Sequence, residues 1–226
     1  MYETKIINLF DLSHTIAAKY LATFDQPWEA LAGLSAFIIS YGQTLSADEY
    51  DNPQENVWIS KSATVAPSAS IGAPCIICAG AEIRQCAYIR GSAIVGAGAV
   101  VGNSCELKNC ILFDSVQVPH FNYVGDSILG YRAHMGAGSI TSNVKSDKTN
   151  VAVRAGDGRI ETGMRKLGAM LGDHVEIGCN CVLNPGTVIG RHSSVYPLTS
   201  VRGFVPEGHI VKSTTDIVIR KNGKEE

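Results

Sequence analysis

The chain has 226 residues, enough for one sizeable core or for a small domain joined to a repeat array, and two units is the working expectation. A formal net charge of −2 excludes a general attraction for nucleic acid, so an anionic ligand must be held by local cations. The start, MYETKIINLFDLSH, has no basic stretch followed by an apolar run, and nowhere do about 18 apolar residues follow one another, which predicts a soluble, cytoplasmic protein that does not contact membrane.

Residues 1–54 read as helical. LFDLSHTIAAKYLATF and PWEALAGLSAFIISYG carry apolar residues at helical spacing, and Asp25 followed by Pro27 marks a helix start. Two amphipathic helices are expected, either capping the exposed edge of the region after residue 54 or docking on another subunit or domain.

From Ile59 the pattern changes to steps of six: Val65, Ile71, Ile77, Ile83, Ile89, Val95, Val101, Leu107 and Phe113. Two residues before each runs a second series, mostly small: Ala63, Ala69, Cys75, Ala81, Ala87, Ala93, Ala99, Cys105 and Ile111. One bulky and one small inward residue per hexad suits a triangular coil of three short strands, so the expected class is all-β, a parallel β-helix over 55–213 with an α-helical N-terminal segment. After Phe113 the register slips by one residue to Val118, and again between Val124 and Leu129. It vanishes over 141–168, a polar insertion, and resumes with Leu171, Ile177, Leu183, Ile189, Val195 and Val201. The tail 214–226 is expected to fray.

Seven cysteines is an odd number, and Cys75, Cys105 and Cys181 fall on small inward positions, which suits reduced thiols used for packing. Cys75-x-x-Cys78 has no second pair at zinc-finger spacing, so no metal site is expected.

Residues 18 apart stack on successive coils, about 4.8 Å apart. Arg90 and Lys108 are such a pair, read either as a phosphate site or as two solvated cations that splay apart. The segment that breaks the register, VPHFNYVGDSILGYRAHMGAGSITSN, holds His120, Tyr123, Asp126, His134 and Asn143. Polar side chains re-aimed on a rigid scaffold mark a candidate site, and His is the usual base near neutral pH, although a lone surface histidine commonly does nothing.

The hexads resemble those of the hexapeptide-repeat family, whose coils are left-handed, and that hand comes from the resemblance alone. His120-Phe-Asn-Tyr123-Val-Gly-Asp126 and Gly136-Ala-Gly-Ser-Ile-Thr-Ser-Asn143 resemble the acetyltransferase domain of glucosamine-1-phosphate acetyltransferase / N-acetylglucosamine-1-phosphate uridyltransferase enzymes. GMRKLGAMLGDHVEIG, from Gly163, is similar to the archaeal-type sugar-1-phosphate nucleotidylyltransferases. The resemblance, over about 57–211, implies an acetyl-CoA-dependent N-acetyltransferase for an amino-sugar 1-phosphate, with glucosamine-1-phosphate and galactosamine-1-phosphate both open. It implies His120 as base, Glu106 orienting it, and Asn143 stabilising the oxyanion. Arg90, Lys108, Tyr123, His134 and Lys148 would contact the sugar phosphate, and Ala137, Cys179 and Pro197 the CoA. No metal is implied, and the family's sites lie between subunits of a homotrimer.

Several positions depart from that pattern. His134 replaces an asparagine of the bacterial enzymes, and Tyr196-Pro197 stands where small residues are usual near CoA. Two lysines of the archaeal type are matched by Thr149 and Ala152, with Lys145 and Lys148 only nearby. No Gly-rich uridine-binding loop precedes the repeats, so the chain alone is not expected to make a UDP-sugar. That leaves room for a catalytically weak or inactive scaffold docked on a separate nucleotidyltransferase. A zinc carbonic anhydrase of the hexapeptide class is disfavoured, since only His174 and His192 stack and no third ligand is evident. Acetylation of a hydroxyl is a third alternative, which the Arg90/Lys108 pair argues against.

Overall fold

The computed structural model of the chain describes residues 3–155, 158–213 and 217–219. Its body is a parallel β-solenoid with three faces. On the first face the strands Val57–Ser60, Cys75–Ile77, Ala93–Val95, Glu106–Leu112, Tyr123–Leu129, Ala169–Leu171, Thr187–Ile189 and Phe204–Val205 stack in parallel. On the second lie, among others, Val100–Asn103, Gln117–His120, His134–Met135, Glu176–Ile177 and Ser194–Val195. The third is built from two-residue strands such as Tyr88–Ile89 and Val182–Leu183, with the leading ends of Glu106–Leu112 and Tyr123–Leu129.

The inward ladder of the first face is Ile59, Ile77, Val95, Leu112, Leu129, Leu171, Ile189 and Val205, and all but Ile59 are fully buried. This corrects the expected register. The first slip falls between Leu107 and Leu112, before Phe113: Leu107 pairs with Ile89 but Leu112 pairs with Val95. Cys110 therefore takes the small inward position, and Ile111 points outward beside Ile94. The corner is tightened at Asn109, whose φ of 49° is a left-handed conformation that Asn tolerates better than most residues.

Two amphipathic helices do not form as expected. Residues 6–42 fold into short turns, Ile6–Leu9, Leu12–His14 and Ala18–Leu21, then a 3₁₀ stretch Pro27–Ala32 and one longer helix Leu34–Gly42. Asp11 accepts from the Ser13 amide and starts a separate turn, and the Gln26/Glu29 capping box opens the Pro27 stretch. This segment runs along the flank of the coil. The outward ladder of the first face, Ile76, Ile94, Ile111, Ile128, Met170 and Val188, is almost completely buried, and each side chain gains about 2 kcal/mol over exposure. The segment joins the same continuous core through Leu9, Phe10, Trp28, Leu31, Leu34 and Ile38. It is tied down by Asp173, whose amide donates to the Leu9 carbonyl at 3.0 Å and whose Oδ2 accepts from the Asp11 amide at 2.7 Å.

Antiparallel strands close both ends. Tyr50–Gln54 pairs with Val57–Ser60, and Ile217–Ile219 pairs with His209–Val211. Part of the expected frayed tail is thus a strand, while 214–216 and 220–226 lie outside the described residues. The insertion carries its own antiparallel hairpin, Ala152–Ala155 against Gly158–Glu161. Among the described residues no helix is long and apolar enough to cross a membrane.

Cys75, Cys78, Cys105, Cys110 and Cys181 are buried and free. Burial pushes the Cys78 and Cys110 thiols up to about 12 and Cys75 further still, so these groups are packed as neutral thiols. His174 and His192 stack at 4.8 Å between centroids, and Tyr131 meets His174 edge-on and stacks on His14. No group of three or more His, Cys, Asp or Glu that could hold a metal occurs among the described residues.

Candidate active site

Two polar groups flank the third face. The first lies where the chain turns from the second face to the third. Backbone bonds stack this corner: the Gly138 amide donates to the His120 carbonyl, Asn180 to Ala137, and Leu198 to Cys179. The next position along is left-handed coil after coil, with Ser104, Phe121, Gly138, Asn180 and Leu198 at φ of 54°, 53°, 73°, 54° and 61°. His120, Ala137, Cys179 and Pro197 therefore form one column on a repeated, rigid turn. The His120 side chain is exposed, and among the described residues no hydrogen bond or ion pair engages its imidazole; its backbone amide donates to Asn122 Oδ1. Phe121 next to it is 62% exposed, and three coils further along the same corner Tyr196 and Leu198, either side of Pro197, are 47% and 80% exposed.

The second group surrounds Asp126, at the turn from the third face to the first. Its side chain is 5% exposed and accepts from Lys108 Nζ at 3.3 and 3.4 Å, Asn109 Nδ2 at 2.9 Å and Asn143 Nδ2 at 2.5 Å. Asn143 Nδ2 also donates to the Tyr123 hydroxyl at 3.1 Å. Burial, helped by Asp126 and Glu106, holds that phenol above its ordinary range. The Asn143 carbonyl accepts from the Leu167 amide, so the insertion leaves and rejoins the coil at this turn.

The cation pair differs from the sequence expectation. Arg90 Nη1 donates to Glu106 Oε1 at 2.8 Å, and Lys108 reaches Asp126. Each cation has a carboxylate of its own, so no external anion is needed to keep the two together. Glu106 is engaged with Arg90, and among the described residues no hydrogen bond or ion pair joins it to His120. The histidine that does meet a carboxylate is His134, whose Nδ1 lies 2.8 Å from Glu176 Oε2. Lys148 stands in the insertion at φ 57°, exposed and apart from both groups.

Asn109 and Glu176 escaped the sequence reading. Asn109 is hidden by the early register slip, and Glu176 becomes a neighbour of His134 only because the insertion between them is skipped by the coil. Asp126 stood out in the sequence without a role. Its replacement by Ala strands Lys108, Asn109 and Asn143 and places a side chain poorly suited to φ 49°. With Lys108 itself 27% exposed, the cost is about 3 kcal/mol, a fall in melting temperature of about 6–12 °C. Asp126→Asn, which keeps an acceptor and tolerates the turn, should lose less than half of that. Thermal unfolding of an Asp126→Ala variant indistinguishable from the parent would remove the network from any structural role.

A family model described as GMPPB C-terminal domain matches residues 73–197, more than half of the chain. The chain belongs to this family. The matched span holds every residue named in the two polar groups except Leu198. Among its relatives, the bifunctional sugar-1-phosphate nucleotidylyltransferase/acetyltransferase of Sulfurisphaera tokodaii is 37% identical over 109 residues, covering 48% of this chain and 27% of that one. The bifunctional protein GlmU of Methanococcus maripaludis is 34% identical over 119 residues, 53% of this chain and 29% of that protein. The chain thus spans under a third of the length of these curated relatives. The acetyltransferase domain of PglB from Neisseria gonorrhoeae aligns with a TM-score of 0.32 at 20% identity, covering 69% of this chain and 53% of that one.

Proposed function

We propose that the chain transfers the acetyl group of acetyl-CoA to the amine of an amino-sugar 1-phosphate, with His120 as general base. One observation carries the reading: an exposed, unengaged imidazole stands in the same corner column as Ala137, Cys179 and Pro197, the positions assigned to CoA. The relative from Sulfurisphaera tokodaii supports acyl transfer by the acetyltransferase in its name, and His120 lies within the span 73–197 that the family model matches. The amine nitrogen forms a bond to the thioester carbonyl carbon, His120 takes the proton the amine loses, and collapse of the intermediate breaks the C–S bond, the thiolate receiving that proton. His134, steadied by Glu176, contacts the acceptor, whereas Lys148, apart from both groups, is given no part in this site. Asn143 serves the oxyanion only if its amide is released from Asp126 and Tyr123 when substrate binds.

Arg90 and Lys108 hold the sugar phosphate by sharing their charge between it and Glu106 and Asp126. Replacing Lys108 by Met, which fills the same volume without the charge, should raise KM for a phosphorylated acceptor about tenfold with a smaller change in kcat. An unchanged KM removes Lys108 from the phosphate. The exposed Phe121 next to His120, with Tyr196 and Leu198 exposed further along the same corner, favours a site completed by further copies, a homotrimer, which sedimentation velocity reads directly.

The deciding assay follows free thiol released from acetyl-CoA with glucosamine-1-phosphate, galactosamine-1-phosphate and the unphosphorylated sugars. Turnover confined to phosphorylated amines supports the reading. A second reading, a non-catalytic subunit docked on a separate nucleotidyltransferase, is favoured by the internal neutralisation of Arg90 and Lys108, and it predicts no thiol release with any acceptor.

A further inference from the structure

The insertion hairpin packs on the last coils beside a small cleft lined by Lys145, Arg154, Arg159 and Arg202, with Pro185 and Gly203 at its base. Arg154 and Arg159 face each other directly across the two strands of the hairpin. Like charges opposed in an antiparallel pair repel, and two further cations on the same cleft add to that repulsion. The described counter-charges do not balance it. Lys145 has Asp147 at 3.3 Å and Arg159 has Glu161 at 2.5 Å. Among the described residues Arg202 donates only to the neutral Asn184 Oδ1, at 3.1 Å, and Arg154 has no ion pair. Asp157 lies outside the described residues.

The cluster is also held in place. Val151 and Val153 are completely buried and anchor the hairpin to the coil. The coil makes room with glycine: a Cβ on Gly203, at φ 83°, would lie 3.1 Å from the Arg154 carbonyl oxygen, and one on Gly186, at φ 79°, would lie 2.8 Å from Val151 Cγ1. The cavity measures about 60 Å³, which suits one compact anion rather than a sugar ring or a base. This differs from the Arg90/Lys108 pair, where every cation meets a carboxylate.

We propose that this cleft binds the dianion of a phosphate monoester, gripped by Arg154 and Arg202 with Lys145 and Arg159 at its rim. Two guanidinium groups with no carboxylate among the described residues offer forked donors that match phosphate oxygens. The monoester comes either from the acceptor or from the 3′-phosphate of CoA. The inference does not rest on acetyl transfer, since binding is read without turnover.

The test uses the full chain and isothermal titration with inorganic phosphate, then with two matched pairs: glucosamine-1-phosphate against glucosamine, and CoA against dephospho-CoA. Phosphate should bind, weakening with added chloride, and the member carrying the monoester should win in one pair. A preference within the first pair that Arg154→Gln/Arg202→Gln abolishes, with Arg90 and Lys108 intact, assigns the acceptor, and one within the second pair abolished in the same way assigns the donor. In Arg154→Gln/Arg202→Gln affinity should fall about tenfold or more, with the melting temperature unchanged because both side chains are exposed. Lys145→Gln should move affinity the same way by less. Absence of phosphate binding, equal binding within both pairs, or undiminished affinity in the double variant each overturns the proposal.

Discussion

Replacing His120 by Ala should lower thiol release from acetyl-CoA by about 10²- to 10⁴-fold, the range expected when a general base is removed. The fold should be indifferent to the change. The imidazole is exposed and makes no hydrogen bond among the described residues, and the strand Gln117–His120 is held by backbone pairing and by the buried Val118. Activity and melting temperature must therefore separate: activity lost, melting unchanged. A structural role would move both together. His134→Ala provides the comparison, because that ring is engaged by Glu176 and is proposed to contact the acceptor, so its loss should raise KM more than it lowers kcat. If His134→Ala abolishes turnover while His120→Ala retains it, the base is the histidine that has a carboxylate partner.

The coil was legible in the sequence because its inward residues repeat at fixed spacing, and the pairs Val65–Ile83, Ile59–Ile77 and Ile177–Val195 appear in the register the hexads predict. What was not legible came from places where the spacing carries no information. The slip at Asn109 leaves Phe113 apolar and buried, so the sequence series runs through it undisturbed although the strand has changed register. The helical segment keeps an apolar period of its own, yet what it covers is set by the outward ladder from Ile76 to Val188, whose residues look like ordinary strand formers. Charge pairing was the hardest to read. Spacing placed Lys108 one coil after Arg90, but whether each cation finds a carboxylate depends on Glu106 and Asp126, sixteen and eighteen residues further along. His120 was accessible to sequence through its motif; that its imidazole stands unengaged was visible only in three dimensions.

Gly102→Ala is expected to be the most damaging added methyl among the described glycines. Gly102 lies between Val101, which pairs with Val118, and Asn103, which pairs with His120, so it stands opposite Pro119 on the next coil. A Cβ there would lie 1.6 Å from the Pro119 carbonyl oxygen and 2.0 Å from its carbonyl carbon. Those are backbone atoms, and no rotamer change can clear them. The coils must separate, breaking the bond from the Phe121 amide to the Asn103 carbonyl at 2.9 Å and loosening the column that carries His120. The cost should exceed about 4 kcal/mol, a fall in melting temperature of about 8–16 °C for a chain of this size, with activity lost in the same variant. Pro119→Ala in the Gly102→Ala background separates the two ways of clashing. Removing the ring should restore nothing, since the collision is with the carbonyl group; recovery of stability in that double variant would mean that the pyrrolidine, and not the approach of the two backbones, makes glycine necessary.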